Sequence, residues 1–151
     1  MVGRAAELLP WSENFAVGHA EFDAQHRGLV KLINEIAAAV RAENHPGQIA
    51  ALQKTIREAA EEHLRQENAV LWEIRCGAYA PLRGHAGTSQ VLKLMAAAAF
   101  DKHMTEHAAL LDRLDAARNA PVDRLCETLR DWFVDHAIKH NSYLKAIFQA
   151  A

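Results

Sequence analysis

The sequence predicts an all-α chain folded as an up-down-up-down four-helix bundle, and three observations predict it. Turn formers are scarce, with 7 Gly and 4 Pro in 151 residues. Alanine is abundant and β-branched residues are few, which favours helix because Ala loses no side-chain entropy there. Four long runs each carry apolar residues at helical spacing. The length suits a single domain over 1–151, enough to bury roughly two-thirds of the surface the unfolded chain exposes.

The elements follow in order. Residues 1–20 have no helical period and read as an N-terminal arm, with Trp11, Phe15 and Val17 laid across a core and Gly18 closing it. A first helix over 21–44 puts His26, Leu29, Val30, Ile33, Ile36 and Val40 on one face. Pro46 sits where a first-turn proline is tolerated, because its missing N–H would have no helical partner anyway. The helix it opens, over 47–76, carries Ile49, Leu52, Ile56, His63, Glu67, Leu71 and Ile74 on its stripe. From Cys76 to Gly87, three glycines and Pro81 mark an elongated connection, read either as a short extra helix or as a late start to the third. The third helix, over 88–118, aligns Val91, Leu92, Met95, Ala99, His103, His107, Leu110 and Leu114. Asn119-Ala120-Pro121 then turns the chain into a fourth, over 121–149, with Leu125, Leu129, Trp132, His136, His140, Leu144 and Ile147 on its stripe. Short connections make neighbouring helices antiparallel.

A net charge of −2 provides no basic field, so neither nucleic acid nor an anionic membrane surface is an expected partner. No run approaches the roughly 18 apolar residues of a membrane span, and the N-terminus lacks the pattern of a signal peptide. Cys76 and Cys126 are too few for a disulfide scaffold, and the expected setting is the cytoplasm.

The composition is unusual in its 9 histidines, several of which fall where a bundle should be apolar. His26, His63, Glu67, His103, His107 and His136 all lie on the stripes. A buried imidazole or carboxylate without a partner costs several kcal/mol, so something must satisfy these groups. His63 with Glu67 and His103 with His107 are i, i+4 pairs that project side by side, able to bind one metal ion or to bracket two. A lone histidine on an apolar face is more often a hydrogen-bonded core residue, but six candidates on four stripes favour a metal. The mixed imidazole and carboxylate set suits iron ahead of manganese or zinc. His19, His45 and His85 lie off the stripes and read as peripheral or surface residues.

Trp11, Phe15-Ala-Val-Gly18 and Phe22-Asp23-Ala-Gln25-His26 resemble the opening of hemerythrins. His63-x-x-x-Glu67, His103-x-x-x-His107 and Trp132-Phe-Val-Asp-His136 match the later motifs in order, so the resemblance runs from Trp11 to about Ile147. It implies two iron ions. His103, His107 and His136 would bind one, His26 and His63 the other, and Glu67 would bridge them. Dioxygen would bind at an open position on the second ion, with Asp23 and Gln25 behind the ligands or at the helix start. Two departures stand out. The family has a bridging Asp where this chain has Asn141, preceded by His140. A neutral amide bridges two cations poorly, leaving His140, water or an outside anion as substitutes. The stretch from Glu67 to His103 is also longer than the family pattern, which implies either a taller bundle or an added lid or dimer surface.

The function expected is therefore a non-haem di-iron protein that binds dioxygen reversibly as carrier, store or sensor. Leu29, Ile33, Ile56 and Leu110 would supply a dry pocket. Turnover of peroxide or nitric oxide is the alternative, as is a regulatory module with a partly occupied site. No residue outside the ligand set reads as a nucleophile or general base, which argues against hydrolysis. A homodimer or a signalling partner is left open.

Overall fold

The computed structural model describes residues 7–43, 46–79 and 86–150; the side chains of 86–89, 140 and 150 lie outside this description. Among the described residues there are five α-helices: α1 (Ala20–Arg41), α2 (Pro46–Cys76), α3 (Ala86–Ala117), α4 (Val122–Val134) and α5 (Ser142–Ala150). A π turn over Asp135–His140 joins α4 to α5, so together they form the fourth rod of the bundle. Each of α1 and α3 packs against both α2 and α4, which gives a closed four-membered ring of neighbours. No strand occurs among the described residues, and no helix there is long and apolar enough to cross a membrane.

The ends of the helices follow local chemistry. His19 caps α1, its Nδ1 accepting from the Phe22 backbone N–H at 3.3 Å while its ring stacks on Phe22. Gly18 precedes it at a φ of +86°, a left-handed turn where a side chain would be strained. Gly77, at a φ of +72°, closes α2: its N–H reaches the Ile74 carbonyl and the Ala78 N–H reaches that of Glu73, at 3.1 and 2.8 Å. His45 and His85 lie outside the described residues.

Two apolar clusters fill the interior. The larger spans α1, α2, α3 and α4 and includes Ile33, Ile36, Ile56, Leu110, Leu129 and Phe133. The smaller joins Leu71 and Ile74 of α2, Leu92, Ala96 and Ala99 of α3, and Leu144 and Ile147 of α5. At about 1.5–3 kcal/mol for each large side chain fully buried, these layers clamp whatever lies between them. The second layer accounts for the long interval between Glu67 and His103. α2 runs on past Glu67 to Cys76 and α3 begins at Ala86, well before His103, so both helices are extended at one end of the bundle.

The arm is tied down at three points. Leu9 exchanges two hydrogen bonds with the Asn34 side chain, both 2.9 Å. Trp11 packs beneath the Arg27 guanidinium, 4.0 Å from the ring centroid. Asp23 Oδ1 accepts from the Val17 N–H at 2.7 Å. These contacts bring Phe15 and its carbonyl over the site.

Candidate metal centre

Between the two apolar layers lies a polar one. His26, His63, Glu67, His103, His107, His136 and Asn141 are all buried, and they make up every buried polar or charged side chain among the described residues. Each of the first six occupies an apolar-stripe position, so the helical period that builds the core also aims them inward.

Glu67 stands at the middle. Its Oε1 lies 2.9 Å from His63 Nε2, 3.6 Å from His136 Nε2 and 3.8 Å from His26 Nε2. Its Oε2 lies 3.2 Å from His107 Nε2 and 3.7 Å from His103 Nε2. The carboxylate is thus shared by two groups of histidines, His26, His63 and His136 on one oxygen and His103 and His107 on the other. Within each group the ligand atoms lie within 4.8 Å of one another. His136 therefore sits with His26 and His63, whereas the resemblance implied a place beside His103 and His107.

The residues behind the imidazoles decide which nitrogens face inward. His26 Nδ1 is 2.7 Å from the Phe15 carbonyl, His63 Nδ1 is 2.6 Å from Gln25 Oε1, and His103 Nδ1 is 3.0 Å from Asn68 Oδ1. The Phe15 carbonyl can only accept, so His26 Nδ1 carries the proton and its Nε2 presents a lone pair; the Gln25 and Asn68 oxygens, as they are placed, favour the same form in His63 and His103. Yet His63 Nε2 lies 3.0 Å from both His26 Nε2 and His136 Nε2, beside the Glu67 oxygen. Lone pairs and a carboxylate converging at such distances repel unless a cation lies among them. Both Glu67 oxygens, His103 Nε2 and both ring nitrogens of His107 are buried without a hydrogen-bond partner. Leaving such atoms bare costs about 1–3 kcal/mol each. The donor set fits bound metal ions.

The charge state agrees. Burial pushes His63 and His136 below the ordinary histidine range and His103 down to about 3, so these imidazoles stay neutral and free to ligate.

Asn141 owes its place to the π turn. Its interval from His136 is one residue longer than the i, i+4 spacing an α-helix aligns. Here the Asn141 N–H bonds the His136 carbonyl at 3.1 Å, widening the turn so that both side chains face inward. Asn141 Nδ2 then lies 3.0 Å from His26 Nε2 and 3.2 Å from His136 Nε2, with its Oδ1 buried and unpartnered. His140 belongs to the same turn, and its side chain lies outside the described residues.

The family model for the hemerythrin HHE cation binding domain matches residues 17–147. The chain belongs to the hemerythrin family. No curated protein and no solved structure matches it. The matched span takes in all the buried histidines of the described residues and Glu67, a cluster that could hold metal. Sequence reading missed the π turn, although the His136-to-Asn141 interval signalled it. It also missed Asn68 and the Phe15 carbonyl, which carry no signal of their own.

Proposed function

We propose that this hemerythrin-family chain is a non-haem di-iron protein that binds dioxygen reversibly, as a carrier, store or sensor. The observation that supports this reading most is the sharing of Glu67 by two groups of buried imidazoles, one on each carboxylate oxygen. His26, His63 and His136 would hold one iron, His103 and His107 the other, and Glu67 would lie between them. Iron in such a centre supplies reversible electron transfer to a small ligand. The protein's own part is to aim the lone pairs, keep the imidazoles neutral and exclude water. Leu29, Ile33, Ile56 and Leu110, each no more than 2% exposed, supply that exclusion. The two unpaired cysteines fit a reducing cytoplasm.

Iron analysis together with gas cycling tests the proposal. Two irons per chain and an absorbance change that reverses between dioxygen and argon are the expected results. A fully iron-loaded protein that ignores dioxygen would sink it.

Asn141 supports a second reading, turnover of peroxide or nitric oxide at an altered centre. Its neutral amide stands where the family resemblance implied a bridging carboxylate, which leaves the centre one negative charge short. Only by turning its amide end for end would it offer Oδ1 to an ion. Replacing Asn141 with Asp should tighten the second iron and favour reversible binding over turnover. Steady-state peroxide consumption by the parent protein, abolished in His103→Ala, would instead favour the enzyme.

A further inference from the structure

A cavity of about 280 Å³ opens between α1 and α2, lined by Gln25, Gly28, Leu29 and Leu32 on one side and by Ala59 and His63 on the other. Its walls are mostly apolar. Among the described residues, cavities between α2 and α3, beside the arm, and at the end of the bundle where α2 and α4 begin are lined by none of the polar-layer side chains. This one is lined by His63, whose Nε2 lies 2.9 Å from Glu67 Oε1. A single imidazole separates the groove from the carboxylate at the middle of the site.

Gly28 keeps this space open. It lies inside α1, where glycine weakens the helix relative to alanine. No left-handed φ calls for a glycine there, and neither does close packing: a Cβ at Gly28 would meet no neighbouring element within 4 Å. Gln25 of α1 reaches His63 and Gln66 of α2, so in an antiparallel pair Leu32, two turns on, comes opposite Ala59. The cavity therefore runs along the groove, with Gly28 and Ala59 as its low walls, the buried Leu29 as its floor and His63 at its inner end. Such a lining suits an apolar molecule the size of dioxygen, which gains by leaving water and needs no hydrogen bond. An ion would lose its hydration there for no return.

We propose that the groove between α1 and α2, held open by Gly28, is the route by which dioxygen reaches and leaves the metal centre, passing beside the His63 ring. The route rests on the reading of the polar layer as a dioxygen-binding di-iron centre; the groove's capacity for a small apolar molecule does not. Gly28 and Ala59 lie outside the ligand set. Filling the space between them therefore raises the barrier of the path without altering either of its ends, so entry and escape slow by the same factor.

The test uses the full chain, first metal-free under xenon and then iron-loaded under dioxygen. In the metal-free parent, xenon should shift the NMR signals of the Leu29 and Leu32 methyl groups. Gly28→Ala, whose Cβ meets open space, should keep that response, and Gly28→Leu should abolish it. Ala59→Leu fills the same space from the facing helix and should act as Gly28→Leu does, which keeps the test decisive if one variant fails to fold. With iron bound, dioxygen association and dissociation should each slow about tenfold in Gly28→Leu, at unchanged affinity and with parent rates in Gly28→Ala. Leucine methyl groups that ignore xenon in the parent would overturn the proposal. Unchanged rates in the filled variants, or an affinity that falls with no slowing of association, would overturn the groove as the route. If the iron-loaded parent ignores dioxygen, the di-iron reading fails and the route with it, while the xenon shifts still decide whether the groove takes a small apolar molecule.

Discussion

The two sides of Glu67 are assembled in different ways. On its Oε2 side, His103 and His107 come from a single helix, one turn apart, and α3 alone sets them side by side. On its Oε1 side, His26, His63 and His136 come from α1, α2 and the π turn, and nothing brings them together until three rods have docked. One side is local and the other tertiary. A local pair tolerates small movements between helices, whereas the tertiary group depends on the apolar layers that fix helix spacing.

The broadest way to break this contrast is to remove what the two sides share. Glu67→Gln keeps the shape of the side chain but deletes the charge facing both groups. Iron binding should fall by more than the roughly 100-fold that a residue behind a ligand typically costs. Elemental analysis should find both ions depleted together. Loss of one ion alone would mean that Glu67 serves a single side.

Next come the single histidines. His107→Ala should cost one iron and spare the other, because the Oε1 group keeps its three imidazoles. His63→Ala removes the imidazole nearest Glu67 and adjacent to both other members of its group, at 2.9 and 3.0 Å, so that side should empty while α3 still binds. Iron stoichiometry of the two variants checks the division. If each variant lost both ions, the sides would be coupled rather than separate.

The same division explains what could be read from the sequence. The bundle was legible because four stripes repeat at helical period, and His103 with His107 because i, i+4 spacing is itself a geometric statement. That His26, His63 and His136 face the interior followed from their places on the apolar stripes. Their grouping did not, since which Nε2 approaches which depends on helix rotation and on the π turn. A widened turn is a local compromise between backbone bonding and inward packing, and no residue type announces it. The partners of the imidazoles were equally hidden. Phe15 contributes a carbonyl, which every residue has, and Asn68 is one polar residue among many on α2.

Protons provide a gentler probe. His63, His103 and His136 are bases whose folded values lie below the unfolded 6.5, His103 at about 3. Between the two values the unfolded chain binds more protons, so stability falls as pH drops below about 6.5. Each site contributes up to about 1.4 kcal/mol per pH unit in that window. The metal-free protein should therefore show urea midpoints that decline from pH 7 to pH 5. Two of the three bases lie on the Oε1 side, so replacing both His63 and His136 with Leu should flatten the decline more than His103→Leu does. Equal slopes in all variants would show that these imidazoles are not held neutral.

The smallest expected effect isolates the local side. Asn68 Oδ1 lies behind His103, as Gln25 Oε1 lies behind His63. Asn68→Leu removes the acceptor while leaving His103 and His107 on their helix. The α3 pair should keep its geometry and lose only the preference for a proton on His103 Nδ1, so iron(II) affinity on that side should fall about tenfold, the low end for such partners. The Oε1 side, where Phe15 backs His26 and Gln25 backs His63, should bind as before. Titration with iron(II) followed at both sites separates the two outcomes. A fall on the Oε1 side of similar size would mean that the sides communicate through Glu67, and the local pair would no longer count as independent of the tertiary one.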